Sequence, residues 1–103
     1  MSPIDARVSL DHVKVSAFCR AHAIKRLAFF GSVLGDDFGP ESDVDVLVEF
    51  RPEAKVGLFE MAGLEIELGG LLGRKVDLRT AADLSRHFRD EVVRQAAVEY
   101  AEA

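Results

Sequence analysis

The 103 residues of this chain predict an α/β (α+β) fold, with a single small mixed β-sheet flanked by about four helices. Three observations carry that expectation. Short apolar runs of strand character recur near residues 24–30, 43–50 and 75–79, and segments of helical periodicity stand before, between and after them. The link between the first two runs, residues 31–42, holds two glycines after its opening Gly31 and a proline, and is too short for an ordinary crossover helix, so those strands pair antiparallel. The sheet is therefore expected to be mixed.

Composition narrows the class further. Nearly half of the residues are hydrophobic and 30% are charged, the balance of a folded domain rather than a disordered chain. The length predicts one domain, residues 1–103. A net charge of −5 argues against strong general nucleic-acid binding, which rests on neutralising phosphates with Lys and Arg. It leaves a nucleotide ligand open, since a metal ion supplies positive charge locally. Cys19 is the single cysteine and has no internal disulfide partner. No apolar run approaches the roughly 20 residues of a membrane span, and no signal peptide opens the chain, so the expected location is cytoplasmic.

Taken in order, residues 1–7 form an entry segment, and Ser9 caps a helix over residues 10–22 whose stripe is Leu10, Val13, Ala17 and Ala21, widened by Phe18 and Cys19. His12 and His22 have no metal-ligand company and read as surface or packing residues. Residues 24–30 form the first strand, followed at once by Gly31-Ser32. A glycine there lets backbone N–H groups approach a ligand closely, and a serine hydroxyl can cap a helical turn or donate to a phosphate oxygen. Residues 35–42 are loop. In the strand over residues 43–50, period-two alternation puts Asp43, Asp45, Leu47 and Glu49 on one face and Val44, Val46, Val48 and Phe50 on the other.

The helix over residues 57–72 buries Leu58, Met61, Leu64, Leu68, Leu71 and Leu72, frays at Gly69-Gly70 and stops at Gly73. Residues 75–79 form a short strand in which Asp77 faces away from Val76 and Leu78. A last helix over residues 85–100 buries Phe88, Val92, Val93 and Ala96, with Arg86, Arg89 and Arg94 on its solvated side. Phe59, Phe88 and Tyr100 fit either the core or a partner interface.

Gly31-Ser32, ten residues, then Asp43-Val44-Asp45, with Asp77 on a later strand, is the chemically informative pattern. Three gathered carboxylates repel one another and raise one another's pKa. A hard divalent cation relieves that repulsion, and magnesium takes one or two carboxylates together with substrate phosphates. A pair of such ions activates an attacking hydroxyl and stabilises the leaving oxygen of an in-line displacement at phosphorus.

This spaced motif resembles the signature of the DNA polymerase β-like nucleotidyltransferase superfamily, with Asp77 matching its third carboxylate. The surrounding residues are similar to those of the minimal nucleotidyltransferases (MNT proteins): Phe29-Phe30-Gly31-Ser32, the run from Ser42 to Phe50, Gly57-Leu58-Phe59 and Leu72-Gly73-Arg74-Lys75-Val76-Asp77-Leu78. The resemblance spans roughly residues 10 to 100. It implies transfer of a nucleotidyl group from a triphosphate, ATP as donor, to a hydroxyl with release of pyrophosphate. Asp43, Asp45 and Asp77 would be the catalytic residues and ligands of Mg²⁺, two ions in number, and Gly31 and Ser32 would bind the nucleotide. Many MNT proteins are encoded beside a HEPN-domain ribonuclease toxin and act as its antitoxin, several by adenylylating a tyrosine of it. Larger relatives carry an additional acceptor-recognising domain, which is not evident here, so the implied acceptor is a partner protein. Two other readings stay open: an antitoxin that neutralises by binding alone, and a nucleotidyltransferase acting on an RNA or small-molecule hydroxyl.

Overall fold

A computed structural model describes residue 4 and residues 7–102 of the chain, so the entry segment expected over residues 1–7 lies mostly outside the described residues. Helix α1 (His12–Ala21) leads into β1 (Ile24–Phe30), which runs into a short 3-10 turn, Gly31–Leu34. Strand β2 (Val44–Phe50) follows the loop, then α2 (Leu58–Leu72), β3 (Val76–Arg79), a second 3-10 turn (Ala81–Asp83), α3 (Arg89–Gln95) and β4 (Ala97–Ala101). The strand order is β3-β2-β1-β4. β1 pairs antiparallel with β2 and β4, and β2 pairs parallel with β3, the mixed sheet expected from the loop lengths.

The alternation in β2 is fully expressed. Val44, Val46 and Val48 are buried on one face with Leu27, Phe29, Val76 and Leu78, and α1 and α2 cover them. Asp45, Leu47 and Glu49 point to the other face.

Four expectations about the first two helices are corrected. In α1 the cap is Asp11, not Ser9: its carboxylate accepts from the Val13 and Lys14 N–H groups, both at 3.1 Å, while the Ser9 N–H donates to the Leu72 carbonyl at 2.8 Å. The buried stripe is Val15, Phe18 and Cys19, and Val13 is 76% exposed. Both phases satisfy a 3.6-residue period, and the one that seats the larger side chains against the sheet prevails. In α2 the Gly69-Gly70 pair does not break the helix, which runs to Leu72 and stops at Gly73 in the left-handed conformation, φ 69°. A Cβ on Gly69 would stand 3.0 Å from the Arg74 carbonyl, so a glycine there lets the chain fold back tightly into β3. Leu64, Leu68 and Leu72 face the core as expected, but Leu58 is almost wholly exposed.

The last expected helix, residues 85–100, is shorter and is followed by a strand. α3 ends at Gln95, Ala96 is extended, and Ala97–Ala101 pairs with the outer edge of β1, Phe29 opposite Ala97 and Leu27 opposite Tyr100. An unpaired edge of β1 would leave a row of backbone donors and acceptors without partners, and satisfying them outweighs the local helical preference of Ala96, Ala97 and Glu99. The Glu102 N–H continues the pairing to Lys25 at 2.9 Å, and Arg51 Nε reaches Glu102 Oε1 at 2.7 Å. Tyr100 packs against the core, whereas Phe88 is half exposed.

Cys19, on the inner face of α1, is completely buried, and burial, reinforced by Glu99, pushes its thiol up to about 12. The thiol should therefore resist alkylation in the native protein at pH 8 and react fully on denaturation, as read by mass spectrometry. Because the folded value lies above the ordinary 9.0, the unfolded chain ionises first. Native stability should fall as pH rises from about 9 to 12, by about 1.4 kcal/mol per pH unit from this group. A Cys19→Ala variant should lack that component in alkaline denaturant titrations.

Candidate active site

The sheet register brings two of the three expected carboxylates together. In the parallel β2–β3 pair Asp45 lies directly beside Asp77, on strands about 4.8 Å apart, with Leu47 beside Arg79. Asp43 stands one residue before β2, at its mouth, and its carboxylate is 4.0 Å from Lys75 Nζ. The side chains of Asp43 and Asp77 are both partly open to solvent.

The Gly31-Ser32 turn closes over Asp45 from the β1 side, since Phe30 is the register partner of Asp45. Gly31 has φ +74°, and a Cβ built on it would fall 2.3 Å from Asp45 Oδ2. Only a residue without a side chain fits both the backbone conformation and that approach. The Ser32 N–H donates to the Asp45 carboxylate and favours its ionised form, as does Arg79. Burial and the Asp77 and Asp43 carboxylates act more strongly in the other direction, so Asp45 is held above the usual carboxylate range.

Asp77 is gripped by Arg79, Nε to Oδ1 at 3.0 Å and Nη2 to Oδ2 at 3.2 Å, a bidentate pair within one strand. Arg79 was not singled out in the sequence, although its place two residues after Asp77 on the same face was a usable signal. Arg74 and Arg7 were missed for a deeper reason. Arg74 Nη2 donates to the Gly39 carbonyl at 2.8 Å and the Ser42 carbonyl at 2.7 Å, and its guanidinium sits 4.4 Å from the Phe38 ring centroid. Arg7 Nη1 donates to the Val33 carbonyl at 2.7 Å. Together they pin the loop that joins the Gly-Ser turn to Asp43. Their partners are carbonyls some 26 to 35 positions away, for which no residue type is a marker.

Among the described residues no three His, Cys, Asp or Glu side chains converge into a closed metal cage. The donor set is instead an open pair, Asp45 and Asp77, with Asp43 at its rim. It suits a hard cation that completes its shell with substrate phosphates: every donor is a carboxylate oxygen, and the Asp45 charge lacks full compensation. Next along the same sheet face lies an apolar cavity of about 290 Å³ lined by Ala28, Leu47, Thr80, Ala81, Val93 and Ala96, with Arg26 and Glu49 at its side.

A family model described as the nucleotidyltransferase domain matches residues 14–101. A protein of Methanocaldococcus jannaschii, provisionally named a protein adenylyltransferase, is 32% identical over 83 residues, 81% of this chain and 87% of its own. A solved structure provisionally described as a minimal nucleotidyltransferase is 33% identical, with a TM-score of 0.69 over 93% of this chain and 94% of that one. A toxin–antitoxin complex with AMP-PNP aligns at 21% identity and TM-score 0.71, covering 90% of this chain and 75% of that chain. A complex of the tri-AMPylated Shewanella oneidensis HEPN toxin with its MNT antitoxin aligns at 20% identity and TM-score 0.63, covering 88% and 70%. These last two share the fold. No described helix is long and apolar enough to cross a membrane.

Two outcomes are expected from the geometry. Gly31→Ala should cost about 1–2 kcal/mol in chemical denaturation for the positive φ alone, and should also displace the Asp45 carboxylate. Asp45→Asn should raise the melting temperature of the metal-free protein at pH 7. An elevated carboxylate disfavours the fold as pH rises through its folded value, so the gain should vanish where Asp45 is protonated. Thermal unfolding in EDTA across that range checks it. Adding Mg²⁺ should stabilise the unaltered protein more than the variant.

Proposed function

The chain belongs to the nucleotidyltransferase domain family, and on that premise we propose that it is a magnesium-dependent protein adenylyltransferase. It moves AMP from ATP to a tyrosine hydroxyl of a partner HEPN ribonuclease and thereby acts as the antitoxin of the pair. Residues 1–103 work as one minimal nucleotidyltransferase domain in the cytoplasm, where ATP is at hand. The observation that carries this reading is the alignment of Asp45 beside Asp77 under a Gly-Ser turn whose backbone already reaches the Asp45 carboxylate.

Asp43, Asp45 and Asp77 would hold Mg²⁺, which when bound would supply charge neutralisation for the triphosphate and acidify the attacking hydroxyl. The Gly31 backbone N–H and the Ser32 hydroxyl donate to the phosphate oxygens. The adjacent apolar cavity takes the nucleoside, with Leu47 and Val93 against the flat base and Thr80 as a polar contact. The acceptor oxygen forms its bond to the α-phosphorus as the bond to the bridging oxygen breaks, and pyrophosphate leaves. The hydroxyl proton passes to Asp77, which Arg79 keeps oriented. The names of the relatives support this direction: one is provisionally named a protein adenylyltransferase, and another structure holds a tri-AMPylated HEPN toxin with an MNT antitoxin.

Intact-mass spectrometry of the HEPN partner after incubation with this protein, ATP and Mg²⁺ should show a gain of one or more AMP units. The Asp43→Ala/Asp45→Ala double variant should give none while keeping its fold by circular dichroism. Unmodified partner in the presence of the unaltered protein, with neutralisation intact, would instead establish an antitoxin that acts by binding.

A further inference from the structure

Of the three candidate carboxylates, Asp77 stands on the least supported backbone. Asp45 lies on β2, which is paired on both sides, by β1 and by β3. Asp43 follows a loop whose Ser42 carbonyl accepts from Arg74 at 2.7 Å. Asp77 belongs to β3, a strand of four residues at the edge of the sheet, paired on one side only. The outer side of such a strand carries backbone groups that the sheet leaves unsatisfied.

One of those groups has a partner on α2. The N–H of Leu78, the residue immediately after Asp77, donates to Glu65 Oε2 at 2.7 Å. Glu65 is half-buried and shares a side of α2 with Gly69, where the helix passes close to the Arg74 carbonyl and the Val76 N–H. The neighbouring acids of α2 are engaged elsewhere: Glu60 accepts from the Gly57 N–H, and Glu67 pairs with His22. Discouraging a second chain from pairing with the edge takes only a charge somewhere along it. A short charge-assisted bond to this one amide does more, because it fixes the peptide unit on which Asp77 stands. Arg79 holds the Asp77 carboxylate and β2 holds the inner edge of the strand, so Glu65 supplies the missing outer support.

We infer that Glu65 is a positioning residue for Asp77: by accepting from the Leu78 N–H on the open edge of β3, it keeps the Asp77 carboxylate beside Asp45. Carboxylates that ligate a metal depend in this way on the groups that orient them. The inference rests on the adenylyltransferase reading for what Asp77 does, but not for how Asp77 is held.

Three variants test it. Glu65→Leu removes the acceptor and Glu65→Asp keeps the charge but shortens the reach, whereas Glu65→Gln keeps an oxygen at the same place. In the metal-free protein, exchange of the Leu78 amide followed by NMR should be about 10-fold or more faster in the Leu and Asp variants. Protection of the Val46 and Leu27 amides should be unchanged, which shows that the fold is intact. Affinity for Mg²⁺ alone, by isothermal titration, should fall about 10-fold in both. At saturating Mg²⁺, kcat for AMP transfer to the partner should fall about 10- to 100-fold. The KM for ATP, which reads the Gly31-Ser32 turn and Asp45, should stay nearly constant. Glu65→Gln should restore most of each quantity. Unchanged Mg²⁺ affinity and kcat in the Leu and Asp variants, with a lower melting temperature as the sole effect, make Glu65 a support of the edge strand and overturn the inference. A Gln variant no better than the Leu variant overturns it too, as does a failure of the unaltered protein to bind Mg²⁺. An unaltered protein that binds Mg²⁺ but transfers no AMP refutes the adenylyltransferase reading, while a Mg²⁺ affinity that still depends on the Glu65 acceptor upholds the positioning role.

Discussion

The site depends on how closely the backbone at Gly31 approaches the carboxylate of Asp45. Phe30 opposite Asp45 fixes the register of β1 and β2, and the chain must then turn over the end of the strand within one residue. A positive φ and the absence of a Cβ make that possible, and the Ser32 N–H meets the carboxylate as a result. The same contact creates the electrostatic tension of the site. Asp45 is partly withdrawn from water beside Asp77 and near Asp43, with one backbone donor and one arginine to offset the repulsion. A hard cation held there would relieve that tension.

Holding that geometry requires the intervening loop to stay in place, although it has no secondary structure of its own between the first 3-10 turn and β2. Arg74 does most of this by donating to carbonyls at both ends of the loop's second half while lying over Phe38, and Arg7 holds the end nearer Gly31. Arg74 is itself fixed because Gly73 ends α2 in a left-handed cap and Gly69 lets the turn fold tightly against the helix. Helix termination, loop position and the placement of Asp43 are therefore parts of one packing arrangement.

Much of this architecture was legible in the residues. The alternation from Asp43 to Phe50 fixed which face carries carboxylates, because a strand's side-chain period of two leaves no other choice. The short, glycine-containing link ahead of it required antiparallel pairing with β1, and Gly73 marked the end of α2. From these the gathering of Asp45 and Asp77 followed, and the spaced Gly31-Ser32 and Asp43-Val44-Asp45 motif carried the resemblance to the family to which the chain belongs.

The tertiary structure alone decided matters in which local preference is nearly balanced or partners are remote. Residues 97–101 have the composition of either helix or strand, and the open edge of β1 made them a strand. The phase of α1 had two apolar solutions, and packing against the sheet selected Val15, Phe18 and Cys19. The arginines that clamp the loop act on backbone carbonyls, which every residue possesses, so no sequence pattern identifies them. Which side of α2 is covered is likewise invisible along the chain, because both sides are apolar. The sequence by itself determined the sheet's chemistry through its strict alternation, and three-dimensional packing determined everything that depended on a choice between equally apolar faces.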